Sequence, residues 1–332
     1  MESLYKSILH SKRANIYYLE HCRILLNGGR VEYVTDQGKE SLYWNIPIAN
    51  TTCLLLGSGT SITQAAVREL AAAGVMIGFC GGNGTPLFAA TEAEFLSPQS
   101  EYRPTEYLQK WCQSWFDDNW RFRAAGYIQN QRLSNIKKFW AIHDWQADKQ
   151  ALEILCTRYA QNFAQCQSIT DLLTTEGRMT KELYALAVKF SHYWQVDFVR
   201  QHGEDADNAN HFLDHGNYLA YGLAASACWV LGLPHGLAVL HGKTRRGGLV
   251  FDIADLIKDA VILPLAFISA QKGGSSSDFR IACTDFFTRH GILDLMIDAI
   301  KEIAQSIYNP QSKKQKNLNA IEKTGLLFIN EQ

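Results

Sequence analysis

Residues His241 to Asp255, HGKTRRGGLVFDIAD, put an imidazole, a basic glycine-bearing loop and two carboxylates within fifteen residues. Asp252 and Asp255 stand three apart at the start of the amphipathic run DIADLIKDAVIL, a spacing that places both on one face of a helix. His241 closes the apolar run LGLPHGLAVLH, and the loop from Gly242 to Gly248 can fold it back over the carboxylates. Carboxylate oxygens suit hard divalent cations, and a neutral imidazole is tolerated by Mn²⁺ and similar metals. Lys243, Arg245 and Arg246 lie between the imidazole and the acids and suit an anionic substrate across the metal. The combination points to metal chemistry on a phosphate. A plainer reading stays open on this segment alone: a core or capping histidine, and two acids that serve a helix dipole.

Glu176, in DLLTTEGRMTKELYALAVKF, supplies a third carboxylate. Thr174 or Thr175 is predicted to cap the helix there, with Glu176 in its first turn and Leu183, Leu186, Ala187 and Phe190 forming a buried stripe behind it. The cap does not require Glu176, so an exposed first-turn acid is the alternative. None of Glu176, His241 and Asp255 is expected in the apolar core. A second polar set, Asn208, Asn210, His215, Asn217 and Tyr218, interrupts an apolar helix that runs to Leu231. Buried amides and hydroxyls need partners, so these residues either line a cleft or form a satisfied buried network. The cleft is favoured, except for His215, while Asp205 and Asp207 read as loop acids.

Glu176 with Gly177, the segment DADNANHFLDHGNYLAYG (205–222), His241, and GLVFDIADLIKD (248–259) together resemble the integrase subunit of CRISPR spacer acquisition. Within that family the chain is most similar to the type I-F branch. The likeness continues through LLLGSGTSITQAAVRELAAAG and GFCGGNGTPLFAA, and so spans nearly the whole chain. It implies a metal-dependent DNA endonuclease and integrase that inserts short foreign fragments into a CRISPR array by 3′-hydroxyl transesterification. Glu176, His241 and Asp255 match the metal ligands, Asp252 is the adjacent acid, and the cation implied is Mg²⁺ or Mn²⁺. Asn210 matches a position near the DNA-binding region. The implied partners are double-stranded DNA, as protospacer and repeat, and a second copy of the chain joined through the β domain. A smaller ferredoxin-like protein, in this branch fused to a helicase-nuclease, completes the assembly. The loop KTRRGG is outside the family pattern, so its phosphate-binding role rests on charge. A metal-dependent phosphohydrolase of small phosphates and a non-catalytic nucleic-acid scaffold are the rival functions.

The elements that must position these residues fall into two groups, an α+β arrangement. Residues 1–91 read as a small β-rich domain with one helix, 92–104 as a polar, proline-bearing linker, and 105–332 as a larger all-α catalytic domain. Period-two patterning over 3–56, punctuated by Asn27-Gly28-Gly29 and Asp36-Gln37-Gly38, predicts antiparallel strands. ITQAAVRELAAAG reads as a helix capped by Thr60 or Ser61 and stopped by Gly74, followed by the strand VMIGFC. Gly57-Ser58-Gly59 lacks the third glycine and following acid of a dinucleotide fingerprint, and no Gly-Lys-Ser/Thr follows, so it reads as a structural turn. Gly81-Gly82-Asn83-Gly84 likewise reads as a hairpin turn. Helices are predicted beyond Pro104 and near 147–165, 179–200, 209–231, 252–270 and 280–307, with QKGGSSSDF as a flexible loop. Trp111, Trp115, Phe116, Trp120 and Phe122 are in helical register and read as a core stripe.

Composition agrees with two domains that have real cores, since 47% of 332 residues are hydrophobic. A net charge of −1 argues against uniform coating by nucleic acid and predicts local basic surfaces instead, at Arg121, Arg123, Arg132, Lys137 and Lys138, at 243–246 and at 312–317. Eight cysteines without CxxC spacing read as free thiols of a reducing compartment. No signal pattern and no apolar run of about 18 residues is found, so no membrane association and a cytoplasmic location are expected.

Overall fold

The computed structural model describes residues 13, 15–37, 40–81, 94–98, 103–143, 149–194, 197–201, 206–242 and 247–306. The N-terminal part carries β1 (Asn15–Leu19), β2 (Arg23–Asn27), β3 (Arg30–Gln37), β4 (Glu40–Asn45), β5 (Thr51–Leu56), β6 (Ser61–Ile62), α1 (Gln64–Ala72), β7 (Met76–Phe79) and β8 (Glu94–Leu96). They form two four-stranded sheets, ordered β1-β5-β7-β8 and β4-β3-β2-β6. The purely antiparallel expectation is corrected: β1, β5 and β7 pair in parallel, as do β2 and β6. For β5 and β7 the reason is local: the chain leaves β5, passes through β6 and α1 and returns in β7, a crossover that sets its two strands parallel.

β5, TTCLLL, is buried along its whole length because both faces are covered. Leu54 and Leu56 join Leu70, Val75 and Ile77 in the core under α1, whereas Cys53 and Leu55 face the helices and belong to the main core. β8 lies within the span read as linker and pairs with β7. Thr63, rather than Thr60 or Ser61, caps α1, its side chain accepting from Ala66 N. The Gly57–Gly59 turn lies between β5 and β6 and holds Gly59 at φ +68°. Gly82, Asn83 and Gly84 fall outside the described residues.

The helical part comprises α2 (Glu106–Trp115), α3 (Asp118–Trp140), α4 (Lys149–Gln165), α5 (Ile169–Ser191), α6 (Asn208–Val230), α7 (Gly248–Ile257), α8 (Leu263–Gln271), α9 (Ser276–Arg289) and α10 (Ile292–Ser306). α6 is the central rod. The small side chains of its GLAASAC stretch (222–228) allow β5, α7, α8 and α10 to close on it, and nearly every position from Ala209 to Trp229 is buried. Gly216 is needed for that approach, because a Cβ there would lie 2.3 Å from Ile262 Cγ2. The helix expected over 252–270 is divided instead into α7, one π-helical turn (Lys258–Ile262) and α8. The single helix expected over 280–307 is broken between Arg289 and Ile292, where Gly291 takes φ +60°. QKGGSSSDF is not a loop throughout: Ser275 and Asp278 form a capping box that starts α9. In the aromatic stripe Trp111 and Trp120 are buried as expected, but Phe116 is 82% exposed.

Candidate metal centre

Glu176 is set by α5. Ser168 caps that helix, its hydroxyl accepting from Asp171 N, so the helix starts at Ile169, well before Glu176. The first-turn placement and the Thr174 or Thr175 cap are therefore corrected; Thr175 is buried within the helix. Opposite Glu176 stands Arg132 of α3, only 1% exposed. Its Nη1 donates to Glu176 Oε1 at 2.7 Å, its Nε to Asp259 Oδ2 at 2.7 Å and its Nη2 to Thr180 Oγ1 at 3.3 Å. Arg132 thus does not belong to a basic surface, and Arg121 is buried as well, ion-paired with Asp118. A buried cation is tolerable only when carboxylates surround it, and Arg132 has three, since Asp255 Oδ2 lies 4.0 Å from Nη1.

α7 begins at Gly248, which moves Asp252 and Asp255 beyond its first turn and into the core, both 0% exposed. The expectation that no ligand lies in the apolar core is overturned for Asp255. The two aspartates share a helix face but do different work. Asp252 Oδ2 accepts from Val239 N (2.6 Å) and Leu240 N (3.1 Å), and Oδ1 accepts from His241 N (2.9 Å) while lying 2.7 Å from His241 Nδ1. Its oxygens are committed to the loop and to the imidazole, and Nε2 of His241 is left for Asp255, whose Oδ2 is 3.7 Å away. An imidazole held at Nδ1 by a carboxylate, with Nε2 presented inward, is the usual arrangement of a metal-ligating histidine.

Asp255 Oδ1 pairs with Lys258 Nζ at 2.7 Å, whereas Oδ2 has no hydrogen-bond partner among the described residues. Burial opposes the charge on Asp255, but Lys258, His241 and Arg132 outweigh it and hold its carboxyl down at about 2. Burial also disfavours the His241 imidazolium; the charge of Asp255 and the bond to Asp252 overcome that and raise its pKa. Lys258 keeps its proton for the same reason, against burial and with Asp255 beside it. One ligand atom each from Glu176, His241 and Asp255 lie within 4.8 Å of one another. Two carboxylate oxygens and one imidazole nitrogen, with Asp255 Oδ2 buried and without a hydrogen-bond partner among the described residues, fit a divalent cation of the Mg²⁺ or Mn²⁺ type.

The remaining predicted residues are placed elsewhere. Lys243, Arg245 and Arg246 fall outside the described residues. Asn210 is buried, and it joins the start of α6 to the preceding segment: Oδ1 accepts from Arg200 Nη1 and Gln201 N, and Nδ2 donates to Val199 O. That is a satisfied network rather than a cleft. Asp207 caps α6, and Asp205 falls outside the described residues. Arg132, Lys258 and Asp259 are the site residues that sequence reasoning passed over. The last two had a signal, because Lys258 and Asp259 follow Asp255 by three and four positions on the same face.

Residues 17–302 match the family model described as CRISPR associated protein Cas1. The chain is 59% identical over 311 residues to the CRISPR-associated endonuclease Cas1 of Pseudomonas aeruginosa (strain UCBPP-PA14), covering 90% of this chain and 95% of that one. It is 58% identical over 313 residues to the protein of the same name from Pectobacterium atrosepticum, covering 91% and 95%. Among solved structures, a TtCas1–DNA complex aligns with a TM-score of 0.64 at 20% identity, covering 88% of this chain and 92% of that one. A casposase bound to integration product aligns with a TM-score of 0.68 at 11% identity, covering 89% and 93%. At such identities the structural likeness shows a shared fold.

Proposed function

The chain belongs to the CRISPR associated protein Cas1 family of endonucleases and integrases, and we propose that Glu176, His241 and Asp255 hold the divalent cation of its DNA strand-transfer reaction. The single observation that carries this reading is the convergence of those three ligand atoms, with a buried Asp255 oxygen that has no hydrogen-bond partner among the described residues. The reaction joins the free 3′-hydroxyl of a short captured duplex to a phosphate at the edge of a repeat, and the repeat strand's 3′-oxygen departs. A bound divalent cation supplies Lewis acidity to the phosphoryl oxygen and favours the alkoxide form of the attacking hydroxyl. The protein's own part is orientation. Asp252 fixes the imidazole by Nδ1, Arg132 fixes Glu176 through Oε1, and Lys258 balances the charge of Asp255.

Lys243, Arg245 and Arg246 are proposed to neutralise phosphates flanking the reacting one without reading bases, because phosphate contacts position DNA but carry no sequence information. The similarity to the Pseudomonas and Pectobacterium proteins supports the type I-F assignment. It is the resemblance to that branch that supports a homodimer built on the β sheets and a ferredoxin-like partner fused to a helicase-nuclease. Exposed Tyr43 and Trp44 on the edge strand β4 suit such a contact. The test of the site is strand transfer of a labelled duplex into a repeat-bearing plasmid with Mg²⁺ or Mn²⁺. Glu176→Gln, His241→Ala and Asp255→Asn are each expected to abolish product at unchanged DNA binding. Full metal-dependent activity in any two of them removes the assignment.

A further inference from the structure

We infer that Trp111 and Trp115 are positioning residues for His241, forming with Asp252 a clamp on the irregular segment that carries the imidazole; this rests on the metal-site reading above. His241 belongs to no helix or strand, yet its approach is tied at successive backbone groups. Trp111 Nε1 donates to Leu237 O at 3.1 Å, and Trp115 Nε1 donates to Ala238 O at 2.7 Å. The amides of Val239, Leu240 and His241 then all donate to Asp252. One side of the segment is thus held by two indoles of α2 and the other by a carboxylate of α7, so five consecutive residues have lost their freedom before the ring is reached.

The indoles are themselves fixed. Trp111 is 0% exposed and meets Trp120 edge to face, with centroids 5.2 Å apart. The Arg121 guanidinium lies over the Trp115 ring at 5.3 Å, and Phe116 packs edge-on against it at 5.3 Å. Phenylalanines could also bury apolar area at these two positions, though less of it. Besides its larger ring, tryptophan adds the N–H donor, and both N–H groups are spent on carbonyls within four residues of His241. A ligand held in a loop keeps its affinity only if the loop is ordered before the metal arrives, since ordering it on binding would weaken affinity.

Trp115→Phe keeps an aromatic side chain, smaller than indole, and deletes the donor. Binding of Mn²⁺ alone to the full chain, followed by the resonance of free Mn²⁺, is expected to weaken about three- to tenfold, the range for loss of one hydrogen bond. In strand transfer the same variant should require more Mn²⁺ for half-maximal rate yet recover the wild-type rate at saturation. Trp111→Phe is expected to act in the same direction and serves if Trp115→Phe does not fold. Trp229→Phe is the control: it makes the same change of ring and deletes an indole bond of the same kind, but to Pro98 O at 3.0 Å rather than to a carbonyl of the segment that carries His241. A merely structural role predicts equal loss of Mn²⁺ affinity in all three, and that result, or unchanged affinity in both α2 variants, overturns the clamp. His241→Ala separates the two layers. If it binds Mn²⁺ like wild type, the metal site is wrong; if it weakens binding while the α2 variants do not, only the clamp is wrong.

Discussion

At the scale of single residues, the centre is organised by how buried charges are matched. Arg132 and Lys258 are embedded among Glu176, Asp255 and Asp259, so the region is close to neutral without a metal. Breaking such a pair is costlier than never having had it, because the surviving charge stays buried without a partner. Arg132→Met is therefore expected to destabilise the fold by about 3–5 kcal/mol, read as a fall in urea midpoint at unchanged slope. Arg132→Met combined with Asp259→Leu should recover part of that loss. No recovery in the double variant would mean that Arg132 acts through its hydrogen bonds to Glu176 and Thr180 rather than through Asp259. The two aspartates of α7 illustrate the same logic by contrast. Equal burial and a shared face give one of them a loop to hold and the other an unused oxygen.

Among the elements, α6 and the π-helical turn decide where those residues meet. The turn adds a residue between α7 and α8; Asp259 meets Arg132 of α3 while Lys258 lies over the Tyr221 ring of α6, and Asn135 Nδ2 and Trp140 Nε1 of α3 donate to Leu256 O and Asp259 O. Gly216 receives Ile262 of that turn, and Gly216→Ala is expected to cost about 1–3 kcal/mol through overpacking. Thermal unfolding is the measurement; a variant that melts with the wild type would show that the turn relaxes freely. Much of this level was legible in the sequence. α4 and α6 appear within a residue or two of their expected limits, since apolar periodicity and caps agree there. The start of α5 was not, because Thr174 and Thr175 imitate a cap that Ser168 and Asp171 supply. The π turn left no trace, as a continuous apolar run reads the same with or without an extra residue. Glu176, His241 and Asp255 were legible by residue type and family pattern, whereas Arg132 was not, because a charged residue on an aromatic-rich helix carries no mark of its partners 44 and 127 positions away.

Taken as a whole, the molecule has almost no net charge, so its attraction to DNA must come from placement rather than total. Replacing Lys243, Arg245 and Arg246 together with Ala is expected to weaken duplex binding alike for unrelated sequences and to lower the log-log salt slope by about 0.9 per lost contact. An unchanged slope would assign the loop another role. Acid response is also a property of the whole, because it sums over histidines that the fold buries. His215, where α6 meets β1, lies 5.6 Å from the Tyr18 ring with neither nitrogen hydrogen-bonded among the described residues, and burial with the charge of Arg280 nearby pushes its pKa down to about 4. His143 is held at about 4 by burial and by His290. In each case the unfolded chain takes up a proton near the ordinary value and the folded chain does not. Stability is therefore full above about 6.5, falls as pH drops toward 4, and levels off below it. His241 works in the opposite sense: its raised pKa stabilises below the ordinary histidine value, and that share is lost as pH climbs through the folded one. At pH 5 the share of His215 alone is about 2 kcal/mol. Urea unfolding at pH 7.5 and pH 5.0 should thus show a smaller difference in His215→Leu than in wild type, by roughly that amount, since leucine has no proton to gain and leaves no unpaired nitrogen in the core. An equal pH difference in the two proteins would place the acid sensitivity elsewhere, and Asp255 could not supply it, because a carboxyl held at about 2 releases its contribution only below the ordinary aspartate range.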